Sequence, residues 1–379
     1  MVLFLHNRYR STGGEERVVA DLRWLVQEHL GEPAELLSRD SGGLARRTAA
    51  AGLLRGGLDP GEVARSVREG GARVVHAHNL QPSFGWRSLA AARSAGARVV
   101  LHLHQYRLVC AIGVCFTKGA ECTRCHGRDT LPGVRLNCRG SAPEALAYGA
   151  SLALWQRRLV EQADAIVVPS RFARERLREL GAQLPWERVS VIAPPIRVSL
   201  SAPPVDAAAG GYALLVGRLS VEKGVDVAID ACRIAGLPLV VAGEGPEREA
   251  LQRRALGADV RFAGRVADAE LAELRAGASI ALAPSRSAET FGVAVAEAMA
   301  SGLPVAASRV GALSELLEDD ALVAPGDAGA LAEAIERRAG DREAGVRGRE
   351  LVAAVCAPEV VARALAEVYD GRDPPPSSP

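Results

Sequence analysis

Residues 284–302 read Pro-Ser-Arg-Ser-Ala-Glu-Thr-Phe-Gly-Val-Ala-Val-Ala-Glu-Ala-Met-Ala-Ser-Gly, with two carboxylates, Glu289 and Glu297, separated by seven residues. Glu297 lies within Val293–Ala300, where every other residue is small or apolar. If that segment is a helix packed in a core, its carboxylate is buried, and a buried charge requires a partner or a ligand. Glu289 precedes the helix in a loop after the apolar, strand-like run 280–283, which sets it over a helix N-terminus. Backbone N–H groups at residues 291–293 would point into the same space and hold hydroxyl or phosphate oxygens. Taken singly, each glutamate has a plain reading, Glu289 as a solvated loop residue and Glu297 as a helix carboxylate paired to an arginine. Taken whole, with Gly302-Leu303-Pro304-Val305 leading into a further strand, the stretch describes a polyol-and-phosphate site in an α/β sheet.

Working outward, short apolar runs alternate with longer amphipathic or alanine-rich stretches, the pattern of a parallel sheet covered by helices. The first half predicts strands at 2–6, 74–78, 99–104, 165–169 and 189–192. The second half predicts strands at Tyr212–Val216, Leu239–Ala242, 260–263, 280–283, 305–307 and 322–324. Residues 199–211, rich in Pro, Ala and Gly, read as a linker. This gives one domain over 1–198, a second over 212–359, a helix over 360–370 that crosses back to the first, and a disordered proline-rich tail over 371–379. In such sheets ligands collect beyond the carboxyl ends of the strands.

One such end is Gly217-Arg218-Leu219-Ser220-Val221-Glu222-Lys223-Gly224, directly after Tyr212–Val216 and before a helix. Two cations at a strand-to-helix turn suit a diphosphate: Arg218 offers a planar fork of donors, Lys223 a point charge, and the helix N-terminus a partial positive charge. Lys223 is one of two lysines among 46 basic residues, so a lysine there suggests a geometric requirement. Gly243-Glu244-Gly245-Pro246, Phe262-Ala263-Gly264-Arg265-Val266 and Ser308-Arg309-Val310-Gly311-Ala312 stand at three further strand ends.

Together these segments resemble the family 4 retaining glycosyltransferases, whose Glu-x7-Glu signature matches Glu289 and Glu297. The resemblance covers about residues 212–325 strongly and the first half more weakly. It implies the α/β GT-B fold, two Rossmann-like doubly wound domains facing a cleft, with the acceptor on the first and the donor on the second. Carried over by position, it implies Arg218 and Lys223 on the donor diphosphate, Glu297 on the ribose hydroxyls and Glu289 on the transferred sugar. Backbone groups of Phe291 and Gly292 would also reach that sugar, and Val266 belongs to the segment framing the base. Gly13 and Gly14 would lie over the diphosphate, and His104 would stand near the reacting sugar. The implied donor is a UDP- or GDP-sugar, and the acceptor a glycan or lipid-linked hydroxyl in cell-surface polysaccharide or glycoconjugate assembly. Ala193-Pro194-Pro195-Ile196 departs from the Asn-Gly turn that relatives often carry before the linker, so the hinge or donor-site rim differs here.

In the first half, Gly13 and Gly14 follow the first strand and permit close approach of backbone to a phosphate; a plain strand-to-helix turn is the alternative. His76 and His78 share one strand face, as do His102 and His104. A metal site, a catalytic centre and polar strand ends all fit these residues; the resemblance selects His104 for catalysis. Cys110, Cys122, Cys125 and Cys138 form C-x11-C-x2-C-x12-C within an insert at 106–140, a set that fits either a structural zinc or free thiols in a long loop. Relatives with a similar insert carry it after a His-x-Tyr-Arg-Leu-x-Cys stretch, here residues 104–110. Cys122-Thr-Arg-Cys125-His126 also matches a haem-attachment motif, disfavoured without an export signal.

The 379 residues suffice for two cores. The N-terminal apolar run of five residues is too short for a signal peptide, and no run reaches membrane-spanning length, so a cytoplasmic protein with reduced cysteines is expected. Net charge is +1 overall, but residues 1–195 carry +9 and the remainder −8. The basic half suits either an anionic acceptor or membrane surface, reached peripherally, or a solvated arginine-rich exterior. No Asp-x-Asp pair occurs, so no catalytic metal is expected. The rival readings are a nucleotide-sugar epimerase of the same architecture and a non-catalytic zinc-knuckle protein for nucleic acid. The second lacks stacking platforms beyond Tyr106 and Phe116 and leaves the second half unexplained, so no nucleic-acid partner is expected.

Overall fold

The computed structural model describes residues 1–9, 13–198, 200 and 203–372. The expected disordered tail lies almost wholly outside these residues, as do 10–12 of the glycine loop and part of the expected linker. The chain forms two compact units. One contains Met1–Thr117, Cys122–Pro195 and the segment from Pro358; the other contains Lys118–Glu121 and Ile196–Ala357.

The first unit is built on six parallel strands in the order β2-β1-β3-β4-β7-β8. These are β1 (Val2–Arg8), β2 (Ala34–Asp40), β3 (Val74–Ala77), β4 (Arg98–His102), β7 (Ala165–Val168) and β8 (Val189–Val191), while β5 (Phe116–Thr117) and β6 (Ala120–Glu121) pair separately in the cysteine-rich insert. Strands β3 and β7 are buried along their whole length and β4 nearly so, which is why they read as unbroken apolar runs. β2 is the strand the sequence hid: as an edge strand most of its side chains face water, and Ala-Glu-Leu-Leu-Ser-Arg-Asp carries no apolar run. Helices α1 (Gly14–His29), α2 (Arg46–Arg55), α3 (Pro60–Gly70), α4 (Trp86–Ser94), α5 (Leu131–Arg135), α6 (Ala142–Glu161) and α7 (Arg171–Glu179) make the connections.

The second unit repeats the plan with six strands in the order β11-β10-β9-β12-β13-β14. They are β9 (Tyr212–Val216), β10 (Leu239–Ala242), β11 (Val260–Gly264), β12 (Ala278–Ala283), β13 (Val305–Ser308) and β14 (Leu322–Val323), and each pairs with its neighbours in parallel. Between and after them run α8 (Val225–Ala235), α9 (Arg248–Arg254), α10 (Asp268–Ala276), α11 (Val293–Ala300), α12 (Leu313–Leu316), α13 (Ala328–Arg338) and α14 (Arg342–Cys356). Its core joins Leu215, Val241, Ile280 and Leu282 of the sheet to Ile229 of α8 and Leu331 and Ile335 of α13. The last helix, α15 (Pro358–Asp370), belongs to the first unit and packs on α1 and β4.

Candidate active site

In the second unit the segments singled out in the sequence all follow the carboxyl ends of parallel strands. Lys223 ends a short 3-10 turn, Val221–Lys223, ahead of α8, and its Nζ donates to Glu289 Oε1 at 2.6 Å. Ser285 Oγ donates to the same oxygen at 2.6 Å. Burial pushes the Glu289 carboxyl up, but the Lys223 ammonium and these two hydrogen bonds outweigh it and hold the group below its ordinary range. Its backbone is fixed as well: the Ala312 N–H donates to the Glu289 carbonyl at 2.9 Å. Gly311, at φ 59°, passes so close that a Cβ there would meet that carbonyl oxygen at 2.3 Å. The loop 284–289 is also tied to α8, because Arg286 forks onto both Asp226 oxygens at 2.7 Å each.

Arg218 is exposed and donates to Glu222 Oε1 at 2.5 Å, an oxygen that also accepts from Ser220 Oγ at 2.7 Å. Burial raises and the two hydrogen bonds and the Arg218 charge lower the Glu222 carboxyl, leaving it below its ordinary range. Phe291 is buried, Gly292 caps α11 with φ 102°, and Val266 is half-buried just beyond β11. The sequence separated Lys223 and Glu289 into phosphate and sugar roles; the structure brings them into direct contact.

Glu297 is 5% exposed, as the apolar helix around it requires, and it is paired: Arg275 of α10, equally buried, donates to its Oε2. This is the arginine that the plain reading of Glu297 called for. Nothing in the sequence marks it, since it lies 22 residues away on a helix of ordinary amphipathic pattern. Ser285 and the Arg286–Asp226 clamp were likewise missed, although Ser285 and Arg286 lie inside the quoted stretch.

In the first unit the histidines form a ladder across three strands. His76 lies in β3 and His78 just follows it, His102 ends β4 and His104 follows it, and His6 comes from β1. His78 Nδ1 and His104 Nε2 are 2.7 Å apart, His102 Nδ1 and His76 Nε2 3.2 Å, and His76 Nδ1 meets the Tyr369 hydroxyl of α15 at 2.8 Å. Burial holds His76 and His104 down to about 3, and His78 and His102 well below the usual range, so all four rings are neutral. His76, His78 and His102 are the one group of three or more His, Cys, Asp or Glu among the described residues whose ligand atoms lie within 4.8 Å of each other. Within the trio only His102 Nδ1 and His76 Nε2 bond each other; His76 Nδ1 and His78 Nδ1 turn to Tyr369 and His104, no carboxylate joins them, and the buried His78 Nε2 and His102 Nε2 have no hydrogen-bond partner.

Gly13 and Gly14 stand at the start of α1, both exposed. The Gly13 N–H, expected to face a phosphate, donates to Glu16 Oε2 at 2.8 Å, while the Tyr9 N–H donates to Glu16 Oε1 at 3.1 Å. Glu16 therefore fills the place of an anion in this loop. The four thiols expected around zinc are not gathered: no three cysteine sulfurs lie within 4.8 Å of one another among the described residues. A hydrogen bond from Cys115, outside the expected set, holds Cys110 down to about 6 despite burial, and the Cys138 thiol turns to Thr117 Oγ1 at 3.5 Å. As placed, Cys110, Cys122, Cys125 and Cys138 do not fit a tetrahedral metal.

Residues 3–195, half of the chain, match the family described as "Glycosyl transferase 4-like domain", and residues 210–341 match "Glycosyl transferases group 1". The chain belongs to the family 4 glycosyltransferases. This glycosyltransferase-family chain is 46% identical over 110 residues to the GDP-mannose-dependent alpha-(1-6)-phosphatidylinositol dimannoside mannosyltransferase of Mycobacterium tuberculosis, covering 27% of this chain and 29% of that protein. It thus spans about a third of the length of that curated relative. Among solved structures it is similar to sucrose-phosphate synthase from Thermosynechococcus elongatus, with 21% identity, a TM-score of 0.70 and 98% of each chain covered. It is also similar to Anabaena HepE in complex with UDP, with 19% identity, a TM-score of 0.64, and 97% of this chain and 99% of that one covered. These likenesses run over nearly the whole chain and give the fold as GT-B.

Proposed function

We propose that the protein transfers a sugar from a nucleoside diphosphate sugar to a hydroxyl of a glycan or lipid-linked acceptor, with retention at the anomeric carbon, in cell-surface glycoconjugate assembly. The observation that carries this reading is the strand-end cluster of the second unit, where Lys223, Ser285 and Glu289 share one hydrogen-bonded centre with Arg218 on the adjoining turn. A UDP-bound structure of similar fold and a relative named for GDP-mannose support a nucleotide-sugar donor; the relative's phosphatidylinositol dimannoside supports a lipid acceptor.

In this reading the bond between the anomeric carbon and the diphosphate breaks, and its electron pair leaves on the β-phosphate oxygen. Lys223 and Arg218 offset that charge, so the reaction asks for no catalytic metal. Glu289, held ionised, orients the sugar hydroxyls and stabilises the oxocarbenium-like carbon. The acceptor oxygen bonds to the same face that the phosphate leaves, and its proton passes to the departing phosphate. Glu297, steadied by Arg275, addresses the ribose, and His104 is assigned to the reacting sugar by the family resemblance. The protein would work on the inner side of a membrane without crossing it; no helix among the described residues is long and apolar enough to span one.

The test is a calorimetric titration of the purified protein with UDP, GDP and ADP. Micromolar binding of one nucleotide, weakened about tenfold or more in both Lys223→Ala and Glu297→Ala, is expected. Absence of binding to all three by the folded protein would sink the transferase reading.

A further inference from the structure

Ten large apolar side chains stand exposed among the described residues, and four of them, Leu54, Leu131, Leu146 and Leu154, lie on helices α2, α5 and α6 of the first unit. Each is about half in water, at 46%, 47%, 56% and 55%. The helices hold together beneath them. Leu53 of α2 packs with Tyr148 and Leu152 of α6, the Trp155 indole donates to the Leu54 carbonyl at 3.0 Å, and α5 rests on α6. Leu146, Leu154 and Arg158 follow one another along α6 at eight- and four-residue spacing and so share a side of the helix. The Arg158 guanidinium lies 5.2 Å above the rings of both Trp86 and Trp155.

Charge on these three helices is one-sided. The three helices carry six arginines and two glutamates. Both glutamates are already paired, Glu144 with Arg139 and Glu161 with Arg157, each at 2.8 Å. Arg46, Arg47, Arg55 and Arg135 are exposed and have no carboxylate partner among the described residues. A protein partner would need a contiguous apolar centre depleted of charge. Here arginines interleave with leucines, and tryptophans lie under a guanidinium, which is the composition of a surface that seats apolar side chains at the headgroup boundary of an anionic bilayer.

We propose that α2, α5 and α6 form a docking surface for an anionic lipid bilayer. The leucines enter the acyl boundary, and the unpaired arginines meet lipid phosphates. The surface deepens the transferase reading, on whose lipid-linked acceptor its use rests, but its measurement needs no transfer reaction.

The full chain is sedimented with vesicles of phosphatidylcholine alone and with vesicles containing about 30 mol % phosphatidylglycerol. Binding about tenfold or more stronger to the anionic vesicles, weakening as salt is raised, is expected. Leu146→Glu/Leu154→Glu and Arg46→Glu/Arg47→Glu should each lose about tenfold of it. All four positions are exposed, and an unchanged nucleotide titration verifies that the variants are folded. Equal partition to both vesicle types, or anionic binding that survives both double variants, overturns the proposal. So does a dimer in light scattering that the leucine variants dissociate, since a second copy would then cover this face. Failure of the nucleotide titration with intact vesicle binding would instead strike the transferase reading alone.

Discussion

Arg275 and Glu297 put a paired charge where the surrounding helix is otherwise alanine, valine and methionine. Removing one member of a buried ion pair leaves the other unsatisfied, at a cost of about 3–5 kcal/mol, whereas replacing both by apolar groups costs far less. Arg275→Met should therefore lower stability to urea by about that amount, and adding Glu297→Leu should recover most of it. Equal stability of Arg275→Met and wild type would show that the pair is not formed in solution. At this scale the sequence was legible wherever a residue type was out of place. Lys223 was a rare lysine at a strand end, and Glu297 a lone acid in an apolar helix. Arg275 was out of place nowhere, since one arginine among many on an amphipathic helix gives no signal until its partner is known.

The loop from β12 to α11 is held from three sides, by Lys223, by the Arg286–Asp226 fork and by the turn that contains Gly311. A side chain at Gly311 would need both a left-handed φ of 59° and space that the Glu289 carbonyl occupies. Gly311→Ala is expected to displace Glu289 and lower kcat at least about tenfold while KM for the donor changes less, because the sugar side is disturbed more than the nucleotide side. Steady-state kinetics with wild-type kcat would contradict this. Strands buried on both faces were readable as apolar runs, and in the second sheet the half-exposed edge strand β11 was anticipated with them. β2 was not, because an edge strand needs no apolar pattern. The loop from Tyr9 to Glu16 was read as an open phosphate turn for a related reason: glycines announce a tight turn, but not that Glu16 already accepts its N–H groups. Glu16→Ala should destabilise the first unit by about 1 kcal/mol through loss of this cap, seen as a lower unfolding midpoint.

Across the molecule, the alternation of runs made the two-sheet plan legible, while the cysteine spacing left zinc and free thiols open because spacing alone does not orient thiols. The histidine ladder sets a pH dependence. His76, His78 and His102 are fully buried and bind protons far less readily folded than unfolded, where the ordinary value is 6.5. The unfolded chain therefore takes up more protons below that value. The ladder's contribution is complete above pH 6.5 and declines as pH falls below that value, for His76 down to about 3, by up to about 1.4 kcal/mol per pH unit for each ring. The urea midpoint should drop between pH 7.5 and 5.5, and His102→Phe should flatten the drop; a midpoint unchanged over that range would show the rings to be hydrated. The covering of the ladder comes from far along the chain. Tyr369 caps His76, and Arg98 donates to the Val368 carbonyl at 2.9 Å, so α15 closes a sheet whose last strand, β8, ended 167 residues earlier. On the ribosome, the first unit must wait with that sheet face bare while the second folds in between, and a nascent chain stopped just before Pro358 would display it to chaperones and proteases.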